Sequence, residues 1–259
     1  MGERISANPS DHAVGNAKNA FFGPFPSRAA ADLFESQVLD YYQLRRCQED
    51  LAPSPDHPGC IYGEMLKCLR PCQDAVTAEE YASEAKRVGE FLASRGHALI
   101  DSIEAARDRA SQDLDFEEAA RQHARLEKAW QTVRLAGDLA AEITHLHGVA
   151  VTASTAAQEV LLWFLREGCW LEPRPFSIAP GTGKPVSMDT RLREMSAALE
   201  TPKLSLTQRQ EHVSLLAKWF YSSWRDGEWL SCESFDALPY RKLVNAISRV
   251  ARQAGTVIS

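Results

Sequence analysis

No run of apolar residues approaches the roughly 20 needed to cross a bilayer as a helix; the longest strong one is Val160–Leu165. The opening, MGERISANPSDHAV, has no apolar core that could act as a secretory signal, so the chain is read as cytoplasmic. A cationic excess is also missing: 29 Lys and Arg stand against 35 Asp and Glu, for a net charge of -6. Nucleic-acid affinity rests largely on cations against phosphates, so this balance weakens the case for a strong general DNA binder and leaves any DNA contact to a local basic patch or a partner. What remains is 259 residues, 44% hydrophobic and 25% charged, enough for one large domain or two smaller ones with real cores.

Cysteine is sparse but concentrated. Four of the six fall in one stretch, Cys47, Cys60, Cys68 and Cys72, with Pro71 directly before the last. Thiolates are strong ligands for soft metals, so four in one segment suit either a tetrahedral zinc or an iron–sulfur cluster. Structural zinc sites assemble from closely paired knuckles, whereas only Cys68 and Cys72 are close here, and the spacing favours the cluster. Ala52 to Gly59, with Pro53, Pro55 and Pro58, cannot continue a helix or a central strand and reads as a loop free to wrap a ligand. Two disulfides are the third option and need an oxidising compartment.

Phe22-Gly-Pro-Phe-Pro-Ser27, Leu44-Arg-Arg-Cys47, Gly59-Cys60, Lys67-Cys-Leu-Arg-Pro-Cys72 and Asp113-Leu-Asp-Phe-Glu-Glu-Ala-Ala-Arg121 occur in that order. Together they resemble the middle of UvrC, the incision subunit of bacterial nucleotide excision repair, over about Phe21 to Ala129 and more weakly to Ile178. The resemblance implies a 4Fe-4S cluster on Cys47, Cys60, Cys68 and Cys72, with zinc as the alternative. It also implies a helical hairpin that docks a UvrB-like protein, and Phe116, Glu117, Ala119, Ala120 and Arg121 fit that motif. Gln122-His123-Ala124 departs from the Leu-Arg-Asp run usual in the family, which removes an ionic pair from the contact. The plain alternative is an amphipathic hairpin closing its own core.

Periodicity supplies the rest of the architecture. A helix is expected from Ser27 to about Leu44, with Ala31, Phe34, Val38 and Tyr41 on one face. Thr77 and Glu80 form a capping box for a second, with a stripe of Tyr81, Ala85, Val88 and Leu92 ending at Gly96. A third runs from about Ala98 to Gln112, its Leu99, Ile103 and Ala106 facing inward. After a turn at Asp113 to Asp115, a long helix capped by Asp115 and Glu118 continues to about Ile143. Three short strands follow, around Val149 to Val151, Val160 to Leu165 and Trp170 to Ile178. Beyond a linker at 179–187, Thr207 and Gln210 cap a helix carrying Val213, Leu216, Phe220 and Trp224, and a last helix spans about Pro239 to Gln253. The expected fold is mainly α: a cysteine-cluster region (21–96), a hairpin (97–143), a small degenerate three-stranded β segment (144–178) and a helical C-terminal region (188–259), after a leader at 1–20.

By the resemblance, 144–178 corresponds to the start of a ribonuclease-H-like nuclease domain, whose first metal-binding carboxylate would fall at about His145. A neutral imidazole cannot replace a hard-metal oxygen ligand there. The family's GIY-YIG nuclease residues lie before the Gly-Pro-Phe motif, and only about twenty residues precede Gly23 here. The chain is therefore expected to carry no catalytic residues of its own. A natural split protein completed by a separately encoded GIY-YIG nuclease, a truncated product and a zinc-stabilised interaction module all stay open.

Lesser candidates carry less chemistry. Pro180 to Pro185 is similar to a phosphate-binding loop, but Ile178 stands where the first glycine belongs and Pro185 at the magnesium-binding position. His145 and His147 read as polar residues near a strand start, and Cys169 and Cys232 as buried thiols. Arg241, Lys242, Arg249 and Arg252 on the last helix could track a DNA backbone, though a solvated face is the commoner explanation. Trp219, Trp224 and Trp229 are read as a small apolar core.

Overall fold

The structure, a computed structural model, describes residues 21–179 and 186–257. The expected leader at 1–20 and the segment Pro180 to Pro185 lie outside the described residues. The chain divides into two compact units between Glu142 and Ile143.

In the first unit, β1 (Phe22–Gly23) is followed by α1 (Arg28–Leu39), the single turn α2 (Ile61–Glu64), α3 (Ala78–Ala93), α4 (His97–Gln112), α5 (Phe116–Leu135) and β2 (Ala141–Glu142). β1 pairs antiparallel with β2, Phe22 opposite Glu142, which ties the two ends of the unit together. Ser27 caps α1 by accepting from the Ala30 amide. The helix ends at Leu39, five residues before the expected Leu44, because the Arg46 guanidinium bonds both the Leu39 carbonyl and the Asp40 carboxylate. The Thr77–Glu80 capping box is present in both directions. At the far end of α3, Arg95 at φ +51° and Gly96 at φ +87° turn the chain over, with the Gly96 amide bonded to the Phe91 carbonyl at 2.7 Å. α5 stops at Leu135, short of Ile143, and Gly137 at φ +68° is the stop signal that periodicity overlooked. The core gathers Phe34, Val38, Val88, Phe91, Leu99, Ile103, Leu126 and Ala129 from all four long helices, so the expected apolar faces are correct in direction. On α3 the fully buried face is Glu84, Val88 and Phe91, with Tyr81, Ala85 and Leu92 at its margin.

The second unit holds β3 (His147–Ala153), β4 (Glu159–Arg166), β5 (Cys169–Trp170), β6 (Arg174–Ser177), α6 (Met188–Ala197), α7 (Leu206–Phe220), β7 (Glu228–Cys232) and α8 (Tyr240–Val257). The sheet runs β5-β4-β3-β7, with β6 also pairing β4, and every pairing is antiparallel. It thus has five strands rather than three among the described residues. β7 comes from the region expected to be helical, and Trp229 sits on this strand opposite Ala150. α8 lays Leu243, Ala246, Ile247 and Val250 against Val149, Val151, Val160, Leu162 and Phe164. Its N-terminal neighbour α7 is capped by Ser205 and Gln208 instead of Thr207 and Gln210; both pairs satisfy the capping pattern, and the earlier one starts the helix two residues sooner.

Gly227 lets β7 reach the sheet. It has φ +83°, and a Cβ there would lie 2.0 Å from the Val151 carbonyl oxygen. Gly227→Ala is expected to cost at least about 2 kcal/mol, from the left-handed backbone and the overlap together. Urea denaturation measures it, and a loss below about 0.5 kcal/mol would show that this close approach is dispensable.

A candidate partner surface at the hairpin tip

α4 and α5 form the expected antiparallel hairpin, and the physical chemistry of its tip is unusual. α4 closes with the Leu114 amide bonded to the Ser111 carbonyl and the Asp115 amide to the Ala110 carbonyl, a C-terminal motif that normally places glycine at the left-handed position. Here that residue is Leu114, at φ +59°, which costs about 1–2 kcal/mol relative to a right-handed backbone. Asp115 then caps α5 by accepting from the Glu118 amide at 3.0 Å. The result presents two large apolar side chains to solvent, Leu114 at 72% and Phe116 at 70% exposure. Neither contributes to the core of its own unit.

The other expected contact residues flank this pair. Glu117 and Ala120 are exposed and Ala119 is half-buried. Arg121 is exposed but held: its Nε donates to Glu118 at 2.9 Å. Glu118 also accepts from Gln122 at 2.6 Å; these two bonds, that from Gln122 foremost, hold its carboxyl below the usual range. Sequence reasoning named Phe116 and missed Leu114. The signal was a bulky residue between two aspartates at a turn, where glycine or asparagine would be the local choice.

The cysteine segment differs from the expectation. All six cysteines are free thiols, and among the described residues no group of three or more His, Cys, Asp or Glu side chains is arranged to hold a metal ion. The 4Fe-4S assignment to Cys47, Cys60, Cys68 and Cys72, and zinc as its alternative, are overturned by that finding. Two sulfurs are already engaged, Cys47 accepting from Arg45 Nε at 3.1 Å and Cys68 from the Arg70 amide at 3.3 Å. Burial pushes the Cys68 and Cys72 thiols above their ordinary range, helped by the other cysteines nearby, and this favours the neutral thiol over the metal-binding thiolate. The segment is instead held by protein groups. The Ser54 amide donates to the Cys72 carbonyl, Gln73 Nε2 to the His57 carbonyl, and Gln43 both donates to Leu66 and accepts from Leu69. Lys67 and Arg46 converge on Asp40 at 2.9 and 3.0 Å, and the bond from Lys67 is the largest influence holding that carboxyl low.

In the second unit His145 is exposed and lies in a 3-10 turn, Ile143–His145, not on a strand. His147 opens β3, and its Nδ1 accepts from the Glu167 amide at 3.2 Å, a bond only the neutral ring can accept. Burial lowers its pKa. The unfolded chain therefore takes up the proton first, so the contribution of His147 is complete above the ordinary imidazole range near 6.5 and fades as pH falls toward the lower folded value. The melting temperature should drop more between about pH 7 and pH 5.5 for wild type than for His147→Asn; parallel curves would exclude this linkage.

The cations of α8 are unequal. Arg249 is bound bidentately to Glu228 at 2.7 and 2.6 Å, and Arg252 Nε donates to the Ser248 carbonyl. Arg241 and Lys242 are exposed. Cys169 is buried, and burial carries the Cys232 thiol up to about 11. Trp224 is 63% exposed, while Trp229 packs edge-on against Trp170. Among the described residues no helix is long and apolar enough to cross a membrane.

Comparison with known proteins places this surface in context. Residues 4–91 match the family described as UvrC/Cho excinuclease, middle domain. The chain is 32% identical over 163 residues to the UvrABC system protein C of Nitratidesulfovibrio vulgaris, covering 63% of this chain and 23% of that protein. It is 34% identical over 167 residues to that of Salmonella typhimurium, covering 62% and 26%. Against the Pseudomonas putida protein it is 35% identical over 104 residues, covering 40% and 17%. The chain thus spans about a quarter or less of the length of these relatives. No solved structure matches it. The chain is thus similar to UvrABC system protein C over part of its length, and its residues 4–91 match the middle domain of the UvrC/Cho excinuclease family.

Proposed function

We infer that this chain serves nucleotide excision repair as a UvrC-type component that docks a UvrB-like protein through the α4–α5 hairpin. The supporting observation is the tip itself: Leu114 and Phe116 are 72% and 70% exposed, on a rigid hairpin whose backbone bonds are satisfied. Large apolar side chains outside any core, set in a polar rim that includes Glu117 and Arg121, are what a helix-on-helix contact uses as anchors. The strained Leu114 fits the same reading, since stored backbone strain concentrates at functional positions.

The chain acts in this reading without a nuclease centre of its own. His145, which the family resemblance puts in place of the first metal-binding carboxylate, is exposed on a turn, and the lone pair of His147 Nδ1 is taken by a backbone amide. Contact with DNA, if direct, falls to Arg241 and Lys242, with Arg249 and Arg252 already engaged.

The test is a paired assay on the purified chain. A UvrB-like protein should be captured, and incision of damaged duplex should be undetectable with the isolated chain. Cutting that depends on added divalent metal and survives rigorous purification would contradict the second part; absence of capture would contradict the first. Leu114→Gly separates docking from folding, because it should stabilise the chain by about 1 kcal/mol through relief of the left-handed leucine while weakening capture. A variant that gains stability and captures as well as wild type would remove Leu114 from the interface.

A further inference from the structure

A second exposed apolar surface lies on the cysteine segment. Ile61, Tyr62, Met65 and Leu66 are 63%, 38%, 56% and 70% exposed, all on α2 and the two residues after it, while Gly63 among them is buried. Soluble surfaces carry scattered apolar side chains, but four large ones on six consecutive residues form a patch. Its backbone is fixed. Leu66 has φ +56°, its carbonyl accepts from Gln43 Nε2 at 2.7 Å, and the Arg46 guanidinium lies 5.3 Å from the centre of the Tyr62 ring.

Two charges border the patch. Glu64 is on the turn itself, and Arg70 runs its methylenes across Gly63, where a Cβ would lie 2.8 Å from Arg70 Cγ. Both side chains are exposed, and none of the described residues pairs with either. The nearby Arg46 and Lys67, by contrast, are spent on Asp40. An apolar centre with one unpaired acid and one unpaired base is complementary to itself, because a two-fold axis sets each residue i of one copy against residue j of the other and the reverse. A phosphate backbone would meet the Glu64 carboxylate instead.

We propose that this surface self-associates: a second copy of the chain docks on Ile61, Tyr62, Met65 and Leu66, with Glu64 of each copy facing Arg70 of the other. The apolar side chains supply the affinity and the two ionic crossings the register. Four side chains make an interface at the small end of specific contacts, so the dimer is weak and concentration-dependent.

Sedimentation velocity of the full chain from about 1 µM to about 300 µM covers the range expected of such an interface. Wild type should show a reversible monomer–dimer equilibrium, weakened about thirtyfold by Met65→Glu. Glu64→Arg and Arg70→Glu should each weaken it by about three- to tenfold, and an equimolar mixture of those two variants should recover the affinity, since opposite charges then meet at both crossings. That recovery also shows that each variant is folded. A monomer across the whole range, Met65→Glu dimerising like wild type, or a mixture no better than either variant alone would each overturn the proposal. So would a monomeric wild type whose Met65→Glu form loses capture of a UvrB-like protein, which would assign the patch to a different partner.

Discussion

Phe116→Ala is expected to weaken capture of a UvrB-like protein by about 30- to 100-fold while leaving the melting temperature within about 1 °C of wild type. The side chain is 70% exposed in the free chain, so its removal takes nothing from the core and opens no cavity. Burying a phenylalanine against a partner is worth about 2–3 kcal/mol, and that amount corresponds to the stated loss of affinity. Glu117→Ala, at the rim, should change capture by less than about threefold, as exposed charges contribute little. Equal capture by wild type and Phe116→Ala would remove this residue from the interface. A large fall in melting temperature would mean that the hairpin closes its own core, the alternative that periodicity alone left open.

Phe91→Ala should act in the opposite way, costing about 3–5 kcal/mol of stability. Phe91 is 1% exposed and packs against Phe34 and the edge of Tyr42, with ring centroids 6.2 and 6.0 Å away. It also lines an apolar cavity of about 80 Å³ shared with Phe22, Phe34, Val133 and Ala140. Truncation would enlarge a void that already exists, and residual cavity volume is what moves such substitutions toward the upper end of their range. Domains of this kind have total stabilities of about 5–15 kcal/mol, so a large share of the margin would go. Chemical denaturation checks this, and a cost below about 1 kcal/mol would show that neighbouring rings collapse into the space.

The helices of the first unit could be read from the chain because their signals are local. Thr77 and Glu80 are three residues apart and each side chain accepts from the other's backbone amide, so the box needs no tertiary context. The hairpin turn was equally local. β7 was not, since its partner β3 lies some eighty residues upstream and Glu228–Cys232 has no strong alternation by itself. The constraint at Gly227 is equally non-local, a backbone approach to Val151 that only the folded sheet creates.

The candidate site was legible in part for the same reason. Phe116 stood out through a motif, whereas the exposure of Leu114 depends on a left-handed turn whose sequence cue, a glycine, is replaced. The cysteines mark the limit of composition-based reasoning. Four thiols within one segment suggest a ligand set, but coordination requires convergent geometry, and here the segment is organised by Ser54, Gln43, Gln73 and the Asp40 ion pairs. Spacing in sequence carried no information about those bonds.

Docking of a UvrB-like protein on the hairpin tip should register in hydrogen exchange of the full chain, measured with and without that protein. New protection centred on the amides of residues 110 to 121 is the predicted result; protection confined to other segments, with the tip exchanging as in the free chain, would contradict it.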